Sequence, residues 1–131
     1  MNAPLFTHIM NRDLLVNLYD DFLKNKSDDA FDVRRILSPD VYHLESFIQT
    51  YFSLGWDSEI KAGCYKVNPT VFIAIKDGQI VGFAGYDCTA KGYFGPTGVH
   101  PKFQGQGIGR ALLLKTLLAL SGLTVMTTQE I

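Results

Sequence analysis

The sequence predicts one α/β domain built on a mixed, mostly antiparallel sheet flanked by helices. Amphipathic helical runs alternate with short β-branched runs, an Asp77-Gly78 pair joins two of the latter, and a glycine-rich loop stands between an extended segment and a leucine-dense helix. At 131 residues the chain has room for one core and not for two ordinary domains. Residues 1–30 are expected to form an N-terminal helix and connector, and residues 31–128 the core.

The elements follow in order. Leu14, Leu15, Leu18, Tyr19 and Phe22 share one helical face between Asn11 and Leu23, behind Asp13 as an N-cap. Lys24 to Asp29 is a polar connector, and Phe31 to Leu37 has strand character. Ser38 and Pro39 predict a helix start, the serine hydroxyl capping an orphan amide and the proline already fixed at a helical φ. That helix runs through Leu44, Phe47, Ile48 and Tyr51 to a stop at Gly55. Trp56 to Asn68 has no clear period and reads as a loop or a short irregular helix. Thr70 to Lys76 and Ile80 to Tyr86 form a hairpin, because Asp77 and Gly78 tolerate the positive φ of a type I′ turn. Gly92 to Val99 is extended, with Gly92, Gly95 and Gly98 pointing to bends or bulges. A helix over Ile108 to Leu120 stops at Gly122, and Leu123 to Thr128 supplies one more strand.

Composition excludes several classes. The chain is 47% hydrophobic and 19% charged, as folded proteins are, and its net charge of -1 gives no basic field for nucleic acid. No run approaches the ~18 apolar residues of a membrane span, and no leader pattern precedes the first helix, so a cytoplasmic protein with no membrane partner is expected. Cys64 and Cys88 are too few for a disulfide framework and have no companions at metal-ligand spacing, so no metal is expected.

Gln104, Gly105, Gln106, Gly107, Ile108, Gly109 and Arg110 carry the functional signal. The first amides of a helix lack intrahelical acceptors and lie at the positive end of its dipole, which favours anions. Glycines at 105, 107 and 109 remove side chains that would hold a phosphate away, and Arg110 adds a cationic contact. A P-loop is excluded because no Lys-Ser/Thr pair closes the loop. A dinucleotide fingerprint would need a third glycine where Arg110 stands, which ranks a nicotinamide oxidoreductase well behind.

Val99, Pro101, Gln104, Gly107 and Gly109 reproduce a Val-x-Pro followed by Gln-x-x-Gly-x-Gly, and the chain from Val33 to Thr128 resembles the GNAT superfamily of N-acetyltransferases. The stretches Trp56 to Glu59 and Tyr86 to Val99 are similar to a bacterial branch of that family. The resemblance implies a GNAT-like acyl-CoA N-acyltransferase fold. It also implies acetyl-CoA as acyl donor, its pyrophosphate on the amides of Gln104 to Arg110 and its pantetheine arm along Thr97, Gly98 and Val99. The acceptor is expected to be an amine of a small molecule or peptide. A backbone amide near Val99 would polarise the thioester carbonyl.

For the proton acceptor the sequence offers Glu59, whose neighbour Trp56 would raise its pKa, with Asp87 and His100 as lesser options. Trp56, Tyr86 and Tyr93 are candidate lining residues for the acceptor, while Cys88 is expected to be a packed thiol. A chain ending at Ile131 is expected to lack the usual C-terminal part of the family, including the tyrosine that protonates the leaving thiolate. Leucines at 112, 113, 114, 117, 118 and 120 surround the last helix, which predicts a homodimer or segment exchange. The alternative from another class is a non-catalytic CoA-binding module.

Overall fold

The structure, a computed structural model, describes residues 31–121. The expected helix over 11–23, its connector, the Gly122 stop and the strand over 123–128 lie outside the described residues. Within them the order is β1 (Asp32–Arg35), α1 (Asp40–Tyr51), α2 (Leu54–Cys64), β2 (Val71–Lys76), β3 (Gln79–Tyr86), β4 (Phe94–Val99), a 3₁₀ turn (Pro101–Phe103) and α3 (Ile108–Ser121). The four strands form one sheet in the order β1-β2-β3-β4, each pair antiparallel. The predicted antiparallel sheet flanked by helices is therefore present.

Strand alternation divides the core into two layers. On one face Phe72, Ala74, Val81, Ala84 and Tyr86 pack against Ile108, Leu112, Leu117 and Leu118 of α3. On the other, Val71, Ile73 and Phe83 pack against Leu44, Phe47, Ile48 and Ile60 of α1 and α2. Leu112, Leu114, Leu117 and Leu118 are buried within the chain, and Leu113 and Leu120 are half-buried.

The Asp77-Gly78 turn has the two positive φ angles, 53° and 77°, that a type I′ hairpin requires. Pairing of Ala74 with Gly82 and of Ile75 with Ile80 leaves Val81 as the extra residue of a bulge. A second irregularity falls on β4, where Ala84 faces Thr97 but Tyr86 faces Phe94, and Gly95 sits there at φ 120°. The bulge expected of Gly95 is thus in place. Gly92, at φ 86°, belongs to the turn before the strand.

Two expectations are corrected. Ser38 does not cap α1 with its side chain: Pro39 holds the cap position, and Asp40 reaches back so that its Oδ2 accepts the Leu37 N–H at 2.8 Å. Gly55 does not stop that helix. The chain turns extended at Phe52, Ser53 caps the next helix by accepting from Trp56 N at 3.3 Å, and Gly55 lies in the first turn of α2. Trp56 to Cys64 is regular helix because its buried face is Asp57, Ile60, Gly63 and Cys64, spaced for a helix but mostly too small or polar to show as a hydrophobic period.

Candidate active site

Strand β4 leads directly into the glycine-rich loop. Its last residue, Val99, faces Gly82, and His100 extends the ladder by donating its N–H to Val81 O at 2.8 Å. His100 Nδ1 then accepts from Lys102 N at 3.0 Å, closing the 3₁₀ turn, and Gln104 Nε2 donates to Val99 O at 3.4 Å. Gly105 and Gly107 follow at φ 82° and 86°, and a Cβ on either would meet nothing within 4 Å. Backbone conformation, not space, demands glycine at these two positions.

Ala111 N–H bonds to Gly107 O at 3.0 Å, and the amides ahead of it stand at the positive end of the α3 dipole. They lie in an exposed stretch, Gln104 to Gly107 with Gly109 and Arg110, in which only Ile108 is buried. A Cβ at Gly109 would lie 3.7 Å from Val99 Cγ2, an ordinary contact. The hairpin braces the loop from the side, Lys76 Nζ donating to Gln106 Oε1 at 3.3 Å.

Among the described residues β4 pairs with β3 alone and forms the end of the sheet. Thr97 is fixed by its hydroxyl, which donates to Phe83 O at 3.0 Å. At Gly98 space is decisive, since a Cβ would stand 2.7 Å from Phe52 Cζ. That ring is stacked on Trp56 with centroids 5.4 Å apart and meets Phe83 edge-on at 5.6 Å. The candidate cofactor residues at 97–99 and 104–110 are therefore brought into one continuous strand, loop and helix start.

The acceptor-side candidates are more dispersed. Trp56 packs on the α1/α2 face, whereas Tyr86 is buried on the α3 face, so the sheet separates them. Glu59 is half-buried on α2 and accepts a 2.6 Å hydrogen bond from Thr89 Oγ1, in the loop that leads into β4. Tyr93 closes that loop, its carbonyl accepting from Asp87 N at 2.9 Å. Asp87, at φ 55°, spends its Oδ1 on Gly92 N at 2.6 Å. Burial pushes the Cys88 thiol up and that of Cys64 up to about 12, which keeps both protonated and unreactive.

Sequence reading missed a polar cluster between α1 and α2. Lys61 Nζ lies 2.7 Å from Glu45 Oε2 and 3.4 Å from Asp57 Oδ2, and Gln49 Nε2 bridges the two carboxylates at 3.2 and 3.1 Å. The hydrogen bond to Glu45 holds the Lys61 ammonium above its usual range. Asp57 is 7% exposed, and its Oδ1 has no hydrogen-bond partner among the described residues. Helical spacing of Asp57 and Lys61 was the available signal, but it reads as an ordinary surface pair. Among the described residues no group of His, Cys, Asp and Glu is placed to hold a metal ion, and no helix is long and apolar enough to cross a membrane.

Residues 68–130 match the family model of the Acetyltransferase (GNAT) domain. Among solved structures, the chain shares its fold with a GNAT family acetyltransferase from Brucella melitensis crystallised with acetyl-CoA, at 24% identity and a TM-score of 0.53 over 72% of this chain and 70% of that one. It also matches a Mycobacterium tuberculosis protein in complex with CoA at 21% identity and a TM-score of 0.45, covering 68% of this chain and 56% of that one. No curated protein matches. The strand, loop and helix described above fall inside the residues that match the GNAT acetyltransferase domain.

Proposed function

We propose that this chain is an acetyl-CoA-dependent N-acetyltransferase acting on an amine of a small molecule or peptide. The carrying observation is the outer edge of β4 running straight into a loop whose two positive-φ glycines open the amides of α3. That arrangement suits a ligand with a pyrophosphate at one end and an amide-bearing arm at the other. The amides from Gln104 to Arg110 would hold the pyrophosphate, and Thr97 to Val99 would pair with the arm. The thioester supplies an activated acyl group. A backbone N–H near Val99 polarises its carbonyl as the amine nitrogen bonds to the acyl carbon and the carbon–sulfur bond breaks.

The amine must lose a proton to become a nucleophile. Glu59 is the group assigned to take it, supported by its half-buried position on α2 and by the Thr89 hydroxyl that fixes its Oε1 at 2.6 Å. Trp56 and Tyr93 are assigned to the acceptor side. Tyr86 backs β4 from the core as a positioning residue.

The measurement is thiol release from acetyl-CoA across an amine panel, beside calorimetry with CoA. Glu59→Gln is expected to lower kcat about 100-fold and leave CoA affinity unchanged; an undiminished kcat removes Glu59 from the mechanism. One observation favours a CoA-binding module without turnover: Asp87 and His100, the other proton acceptors beside β4, are committed to turns. Tight CoA binding with no thiol release from any amine would establish that reading.

A further inference from the structure

A groove of about 550 Å³ lies between α1 and the β2–β3 hairpin, on the sheet face opposite α3. Its volume is that of a small-molecule site, and no residue of the 97–110 segment lines it. Phe47, Ile75 and Ile80 supply apolar surface, and His43, Ser46, Tyr51 and Gln79 supply polar groups around it. Among the described residues none of these four side chains makes a hydrogen bond, so each retains its full capacity toward a ligand.

The charged wall of the groove is closed on itself. Arg34 Nη1 and Nη2 donate to Asp40 Oδ2 and Oδ1 at 2.7 and 3.0 Å, and the Leu37 N–H takes a further position on Oδ2. An anion would have to compete with Asp40 for Arg34, and a cation would have to compete with Arg34 for Asp40. A purely apolar ligand would strip water from four polar side chains and return nothing. What remains is a ring with an apolar face and hydroxyl groups at its edge.

We propose that this groove binds a small neutral hydroxylated ring, a monosaccharide in type, at a site separate from the one assigned to CoA. The ring lies on Phe47, Ile75 and Ile80 with its hydroxyls toward His43, Ser46, Tyr51 and Gln79. The Tyr51 ring also lies tilted against that of His100 with centroids 4.3 Å apart, so the site adjoins the residue that follows β4. The inference does not depend on CoA binding.

The test is a titration of the isotopically labelled full chain with methyl α-D-glucopyranoside, followed by amide resonances. Saturable shifts are expected at Ser46, Thr50, Gly78 and Gln79. Cyclohexanol, with the same ring and one hydroxyl, is expected to bind about tenfold more weakly, and Gln79→Ala and Tyr51→Phe each to weaken the glucoside severalfold with the fold intact. Absence of saturable shifts at those amides overturns the proposal, as does equal affinity for cyclohexanol. Tighter binding of methyl glucuronide would make this an anion site and overturn it too. Displacement of the glucoside by CoA would assign the groove to the cofactor, whereas retention of the glucoside in a chain that fails to bind CoA would overturn only the acetyltransferase reading.

Discussion

The two faces of the sheet are built on different principles. The α3 face is mostly aliphatic around Phe72 and Tyr86, and its buried polar side chain, Thr116, returns its hydroxyl to Leu112 O and Leu113 O at 3.2 and 2.8 Å. The α1/α2 face carries a chain of rings from Trp56 through Phe52 to Phe83, the Glu45–Lys61–Asp57 cluster and the polar groove. Their glycines differ in the same way. Gly105 and Gly107, leading into α3, are required by φ, while Gly98, under the Phe52 ring, is required by space. A requirement of φ is written into neighbouring residues, whereas a requirement of space is set by residues far along the chain.

The comparison breaks first at the loop. Gly107→Val with Gly109→Val is expected to weaken CoA binding by 100-fold or more, about 2.7 kcal/mol, by covering the α3 amides. Part of any stability loss will come from the positive φ at 107, which costs a side chain about 1–2 kcal/mol. Gly109→Ala alone sharpens the point, because its Cβ meets Val99 at an ordinary 3.7 Å and CoA affinity should barely move. Calorimetry on the two variants decides it; unchanged affinity in the double variant removes the cofactor assignment.

Next in size is the requirement of space. Gly98→Ala drives a methyl to within 2.7 Å of a ring held between Trp56 and Phe83, and should destabilise the fold by about 2 kcal/mol in urea titration. Adding Phe52→Leu should recover part of that loss. A fully additive double variant would mean that the two residues do not meet.

The same division decides what the sequence could tell. The hairpin turn, α3 and the glycine-rich loop were all legible, because Asp77-Gly78, the Gly105/Gly107 pair and the leucine run act on their own neighbours. Helix α2 was not. Its inward positions include Asp57 and Gly63, so it carries no apolar stripe, and Gly55 imitates a stop although Phe52 has already ended α1. Ser38 looked like a cap, but Asp40 two residues later serves Leu37 N–H and Arg34 together. Of the candidate site, the continuous strand, loop and helix start over 97–110 was readable for the same reason. The groove joins Arg34, His43, Tyr51 and Gln79 from three separate segments, and no sequence window contains it.

The smallest effect concerns charge, and only the α1/α2 face should show it. The Arg34 hydrogen bonds hold the Asp40 carboxyl below the usual carboxylate range, with the Leu37 N–H acting in the same direction. A carboxyl lowered in the folded state contributes stability above its unfolded pKa of about 3.9, and that contribution disappears as pH falls through the folded value. Asp40→Asn should therefore cost about 1 kcal/mol at neutral pH, kept modest because the pair is partly exposed, and the gap to the unaltered chain should narrow on acidification. Leu112→Ala, on the α3 face, removes apolar contact and should cost several kcal/mol at every pH, since no titrating group takes part. Urea midpoints measured from neutral to acid pH separate the two. A gap for Asp40→Asn as constant as that for Leu112→Ala would mean that the pair acts through shape alone, leaving the two faces alike in their response to protons.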